Sequence, residues 1–254
     1  NKLKKEALTV SGKSIADNLY NKESTDRNVI FSYSKPLKEN AGFLVLRSNF
    51  FDTAIMKISV ISKEFRTRYL SDEKKPMEFT SRAIVFDGPE HYHNEINDPK
   101  LKIDENCILM IRGCGPIGYP GGAEVVNMTP PDYLLKKGVT ALPCLGDGRQ
   151  SGTSESPSIL NVSPEAAVGG GLSIIKNNDM IKVDLNNKRV DLLLSEDEIK
   201  ERFKKNQFSF PETQTPWQEL SRKFTGQLSD GACLDLKDKY INIAQTKGLP
   251  RDNH

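Results

Sequence analysis

The chain has 254 residues, of which 28% are charged and 37% hydrophobic, and a formal net charge of +2. That length allows a sizeable buried core, and the interspersed acids and bases leave no electrostatic footprint for nucleic acid. No apolar run approaches the roughly 18 residues that a membrane-spanning helix needs, so neither nucleic acid nor a membrane is expected as a partner.

Four cysteines, Cys107, Cys114, Cys144 and Cys233, form no Cys-x-x-Cys pair and no zinc spacing. This fits a reducing compartment, the cytoplasm or, in a eukaryote, the mitochondrion. Cys114 and Cys144 alone make an incomplete cage for a metal cluster. The first residue is Asn rather than Met and no signal-peptide pattern follows, so the chain is read as a fragment.

Along the chain, Leu8–Val10 is a strand candidate and Ser14–Tyr20 a short helix with Ile15, Ala16, Leu19 and Tyr20 on one face. Val29–Tyr33, Phe43–Arg47 and Ala54–Ile61 read as strands, and the charged stretch Lys63–Met77 as an exposed insertion. Phe79–Phe86 is a further strand, and Gly88-Pro89 starts a helix through Ile96. His91 and His93 on that helix are i and i+2, do not face each other, and read as surface histidines. Cys107–Ile111 is a short buried strand, Pro130–Lys137 a helix with Pro at its start, and Val139–Leu145 the next strand. Ser163-Pro164-Glu165 starts a short Ala-rich helix. Leu172–Ile175, Met180–Leu185 and Arg189–Leu194 form a strand set, the last two joined through Asn186-Asn187 as a hairpin. Ser195–Lys205 is a helix with a Ser-x-x-Glu capping box. Beyond Asn206 periodic apolar positions become sparse, and Trp217 and Phe224 are expected to dock on another domain or subunit.

The functional signal is concentrated between Arg112 and Gly171, where two glycine-rich stretches crowded with small and hydroxyl residues flank one helical segment. Glycine lets backbone approach a ligand closely at a cost in chain entropy, so this pair of loops reads as one wall of an active site. The first loop offers Glu124, which taken alone reads as an acid near a helix N-terminus. The second offers Asp147, Arg149, Ser151, Thr153, Ser154 and Ser156. Neither a P-loop pattern nor a Gly-x-Ser-x-Gly nucleophile elbow is present. The residues by themselves define a polar ligand wall with one carboxylate.

The runs RGCGPIGYPGGAEVVNM and GDGRQSGTSESPSILNVSPEAAVGGGL closely resemble the IlvD/Edd dehydratases, which include dihydroxy-acid, phosphogluconate and aldonic (sugar) acid dehydratases. LTVSGKSIADNL, GFLVLRSN and DMIKVDL extend the resemblance over most of residues 8–205. GPIGYPGGAEVVNM, LPCLGDGRQSGTS and the ending PRDNH look most like the sugar-acid branch.

The resemblance implies an α/β fold: the swivelling β/β/α barrel-like C-terminal domain over residues 1–205, with an extended tail, 206–254, that docks on a partner domain or subunit. It implies dehydration of a sugar acid to a 2-keto-3-deoxy acid. The cofactors implied are Mg²⁺ and an iron–sulfur cluster, [2Fe–2S] or [4Fe–4S], whose ligands lie mostly in an N-terminal domain of the same enzyme. Family members are homodimers or homotetramers. Carried over by position, Glu124 matches a Mg²⁺ ligand, Ser151 the serine proposed as base, Thr153 a hydroxyl beside it, and His254 a C-terminal histidine reaching an active site. Glu155 departs from the pattern, standing where a small residue, commonly Gly, is expected. The alternatives are a branched-chain dihydroxy-acid dehydratase and a non-catalytic interaction domain derived from the family.

Overall fold

A computed structural model describes residues 3–39, 41–121, 128–149 and 158–236. The chain divides into two compact units, Asn1–Ala41 and Gly42–His254.

In the first unit none of the described residues is buried. Its helix α1, Ile15–Leu19, begins at Ser14, whose hydroxyl accepts from the Asp17 N–H while the Asp17 carboxylate accepts from the Ser14 N–H. The strand expected over Leu8–Val10 is only a bridge between Leu8 and Ser14, and Val29–Tyr33 forms turns. β-rich composition does not suffice for a strand, which also needs a neighbouring strand to complete its ladder.

The second unit is built on eight strands in one sheet, ordered β1-β2-β6-β5-β4-β3-β7-β8. They are β1 Phe43–Leu46, β2 Thr53–Lys57, β3 Glu78–Asp87, β4 Cys107–Arg112, β5 Cys144–Gly146, β6 Ser158–Ser163, β7 Met180–Asp184 and β8 Arg189–Leu192. The middle of the sheet, β3 to β6, is parallel, and antiparallel hairpins flank it on both sides. Past the end of β1, the Arg47 N–H donates to the Lys188 carbonyl and the Arg47 carbonyl accepts from the Val190 N–H, each at 2.9 Å. That bridge brings the two edges together into a nearly closed barrel, which removes most of the exposed edge.

Alternation along the strands separates two cores. One takes side chains from all eight strands, among them Leu46, Met56, Val85, Met110, Ile159 and Val183. The other lies on the opposite face of the parallel strands, where Ile84, Phe86, Leu109 and Ile111 meet Tyr92 of α3 (Gly88–Glu95) and Leu134 of α4 (Asp132–Leu135). Burial on both faces is why β4 reads as an unbroken apolar run.

Several elements differ from the sequence expectation. Lys63–Met77 is not an exposed insertion: α2, Lys63–Tyr69, is capped by Ser62 and buries Phe65 and Tyr69 in the first core. An i, i+4 aromatic pair among charged residues is enough to seat a helix. Val139–Leu145 shortens to β5 because Pro143 has no N–H to give the ladder, although its carbonyl accepts from the Leu109 N–H at 2.9 Å. Residues 158–163, read as loop, are β6. Leu172–Ile175 is a 3₁₀ turn over Gly171–Ile174 rather than a strand. Here Gly171 is required by packing, since a Cβ would run into the Phe50 carbonyl. In the β7–β8 hairpin the left-handed residue is Lys188, φ 55°, while Asn187 bonds back to the Asp184 carboxylate. Ser195 caps α5, Glu196–Lys204, but the Glu198 carboxylate bonds to Arg202, so only the Ser195 half of the expected capping box forms.

Phe65→Ala should lower the unfolding free energy of the chain by about 3–5 kcal/mol, measured by urea denaturation. A loss under about 1 kcal/mol would return α2 to the surface.

Candidate active site

In a parallel sheet the loops that follow the carboxyl ends of the strands form the usual site. The two glycine-rich loops occupy that position: the first follows Arg112 at the end of β4, and the second follows Gly146 at the end of β5. These strands are direct neighbours, with Ile111 opposite Gly146. The loops that bear Glu124 and Ser151 therefore spring from adjacent points on one rim. Glu124, Ser151, Thr153 and His254 themselves, with Ser154, Glu155 and Ser156, lie outside the described residues.

Asp147 joins the bases of these loops. Fully buried, its carboxylate accepts from the N–H groups of Gly113 at 3.0 Å, Cys114 at 2.8 Å and Ala166 at 2.9 Å. Burial pushes the Asp147 carboxyl up to about 6, the three N–H donors hold it down, and the nearby Glu165 adds to the rise. The sequence marked Asp147 as a ligand-facing candidate, whereas its carboxylate faces backbone.

Glu165 was expected in the first turn of a helix. Instead it precedes a 3₁₀ turn over Ala166–Val168 without capping it, and its carboxylate reaches the first loop. It is 1% exposed and accepts from Ile117 N–H at 3.0 Å, Gly118 N–H at 2.8 Å and Gln227 Nε2 at 2.9 Å. Gly115 is glycine because a Cβ there would overlap the Glu165 carboxylate.

Arg112, at the end of β4, donates through Nη1 to the carbonyls of Leu172, Ser173 and Ile175 at 3.0–3.1 Å, and through Nε to Asp87 at 2.5 Å. Those converging carbonyls explain why Leu172–Ile175 turns instead of extending. Phe208 stacks on this guanidinium at 5.2 Å. Two clefts, of about 670 and 540 Å³, share Asp87 and Arg112 at the rim. The second is also lined by Gly118, Tyr119, Phe210 and Arg222.

His91 accepts from the Asp87 N–H through Nδ1 and lies 3.0 Å from Glu95 through Nε2, so it is engaged locally. Cys107, Cys114 and Cys144 are buried and Cys233 is exposed. Burial pushes the Cys107 thiol up to about 11 and the Cys114 thiol higher still. Among the described residues no group of three or more His, Cys, Asp or Glu is placed to hold a metal ion. Nor is any described helix long and apolar enough to cross a membrane.

A barrel-like α/β domain that presents two loops from adjacent parallel strands is the class of protein this geometry defines. Residues 28–232 match the C-terminal domain of the dihydroxy-acid/6-phosphogluconate dehydratases, and the chain belongs to that family. It is 57% identical over 249 residues to a D-xylonate dehydratase of Caulobacter vibrioides, covering 98% of this chain and 42% of that protein. It is 35% identical over 253 residues to an L-arabinonate dehydratase of Rhizobium leguminosarum bv. trifolii, covering 99% and 41%. Against a dihydroxy-acid dehydratase of Methanococcus aeolicus the identity is 32% over 234 residues, covering 91% and 40%. The chain thus spans about two-fifths of the length of these relatives, 40–42%.

The raised Asp147 carboxyl has a stability consequence of definite sign. Its folded pKa lies above the usual value, so its contribution is fully present below about pH 4 and is lost as pH rises through about 6. The full span is of order 3 kcal/mol. Asp147→Asn should remove this component, so the difference in stability between the two proteins should change between pH 4 and 7. A constant difference across that range would overturn the assignment.

Proposed function

We propose that this chain is the C-terminal part of a hydro-lyase that removes water from a sugar acid of the D-xylonate type, yielding a 2-keto-3-deoxy acid. The observation that carries this reading is the 57% identity to D-xylonate dehydratase over nearly the whole chain. The origin of both motif-bearing loops on neighbouring parallel strands supports it.

The difficult step is removal of the proton from the carbon next to the substrate carboxylate. Ser151 is assigned as the base, Thr153 as a hydroxyl that orients it, and His254 as a group reaching the site from the chain end. An ordinary serine hydroxyl is a very weak base near neutral pH, so Ser151 acts only where local positive charge favours its alkoxide. Glu124 is assigned as this domain's ligand to Mg²⁺. The described residues furnish no cage for an iron–sulfur cluster, and its ligands are assigned to the N-terminal domain of the same enzyme. When bound, Mg²⁺ would supply stabilisation of negative charge and the cluster would supply Lewis acidity. On this reading the chain alone is inactive.

The outward Trp217, 79% exposed, and Leu220 on α6 (Pro216–Phe224) are assigned, with the rest of residues 206–254, to contact with that N-terminal domain or with a second subunit of a homodimer or homotetramer.

Carried in a polypeptide of the relatives' full length, the domain should support dehydration of xylonate or arabinonate in preference to 2,3-dihydroxyisovalerate. Ser151→Ala should lower kcat by at least about a hundredfold. Preference for 2,3-dihydroxyisovalerate would favour a branched-chain dihydroxy-acid dehydratase, and near-normal turnover by Ser151→Ala would remove that residue as the base.

A further inference from the structure

The Ile117–Gly118 segment of the first glycine-rich loop is gripped from both sides. Its N–H groups point to Glu165, at 3.0 Å for Ile117 and 2.8 Å for Gly118. Its carbonyls point to Arg222, with Nε at 2.8 Å from the Ile117 oxygen and Nη2 at 3.4 Å from that of Gly118. The peptide joining the two residues therefore donates to a carboxylate on one side and accepts from a guanidinium on the other.

Each gripping group is itself held. Arg222 donates to the Pro211 carbonyl at 3.1 Å and lies over the Phe210 ring at 4.3 Å. Glu165 takes the Gln227 side-chain amide on its carboxylate, while the Gln227 side-chain oxygen accepts from the Glu165 backbone N–H at 2.8 Å. A carboxylate so deeply buried is costly unless its oxygens are filled by donors. Here loop amides and Gln227 fill them, so the loop conformation and the carboxylate stabilise each other.

We infer that Glu165, Arg222 and Gln227 form a clamp that fixes the first glycine-rich loop, making residues 206–236 a positioning part of the site. The loop continues from the gripped peptide to Glu124 six residues on. That the clamp serves catalysis rests on the dehydratase reading; that it holds the loop does not. Glu165, Arg222 and Gln227 are positioning residues, since they grip backbone.

Amide hydrogen exchange on this chain tests the clamp without any turnover. Arg222→Ala, which removes donors to the Ile117, Gly118 and Pro211 carbonyls and the stack on Phe210, should raise exchange at the Ile117 and Gly118 amides about tenfold or more, with Ile108–Ile111 of β4 unchanged. Glu165→Gln should do the same, because it sets an amide NH₂ against an N–H donor. Adding Gln227→Glu to Glu165→Gln re-creates the pattern of donors and acceptors with the roles exchanged, and should restore protection. Unchanged exchange in Arg222→Ala, or a double variant no better protected than Glu165→Gln, would overturn the clamp. If Glu165→Gln fails to fold, Arg222→Ala decides alone.

In the full-length enzyme Arg222→Ala should lower kcat about tenfold to a hundredfold with KM within about twofold. The double variant should recover most of the kcat lost in Glu165→Gln. Faster loop exchange with normal kcat would overturn the positioning role while leaving the proposed reaction intact. Absence of sugar-acid turnover by the unsubstituted full-length enzyme would sink the proposed reaction, and the positioning role with it, while the exchange result still decides the clamp.

Discussion

The site depends on one buried carboxylate. Asp147 leaves β5 and takes N–H groups from Gly113 and Cys114 after β4 and from Ala166 after β6, so three adjacent strand ends share one acceptor. Buried backbone donors must be satisfied, and at these strand ends the Asp147 carboxylate satisfies three of them. A carboxylate has two oxygens and room for several donors, which suits it to a junction where three chains diverge. Its own burial penalty shows as the rise of its carboxyl to about 6. The same low-dielectric setting strengthens the hydrogen bonds that hold it.

Around that junction the first loop and the 171–175 turn acquire different supports. Arg112 orders the 171–175 turn by gathering its carbonyls, and Phe208 covers the guanidinium. Glu165 and Arg222 hold the first loop through its backbone. Much of the charge on this rim is thus directed at peptide groups, which leaves the loops able to present other side chains to a ligand. Glycine is needed there partly for packing: at Gly115 any Cβ would displace the Glu165 carboxylate.

The legible parts of the sequence were those whose pattern is set locally. β4 reads as a continuous apolar run because both its faces are buried, and α5 is announced by Ser195. The glycine-rich motifs pointed to the family. What could not be read depends on distant partners. Val29–Tyr33 has β composition but forms no strand, whereas residues 158–163 gain one from flanking β2 and β5. The aromatic pair of α2 was hidden among charges until the barrel offered it a core. Glu165 and Arg222 carry no motif at all, for their partners lie 47–48 and 104–105 residues away along the chain.

This separation bears on why the tail belongs with the domain. None of residues 206–236 is buried, so little hydrophobic burial fixes them on the barrel. They attach instead through Phe208 on Arg112, Arg222 on the first loop, Gln227 on Glu165 and Ser229 on Ser163 at the end of β6. Hydrogen bonds to buried charge are individually modest in net stability but strongly directional. A segment held by them has its register specified while it remains only weakly anchored overall. That combination suits a strap that sets the geometry of a loop, and it ties the backbone of the first motif to a residue more than a hundred positions downstream.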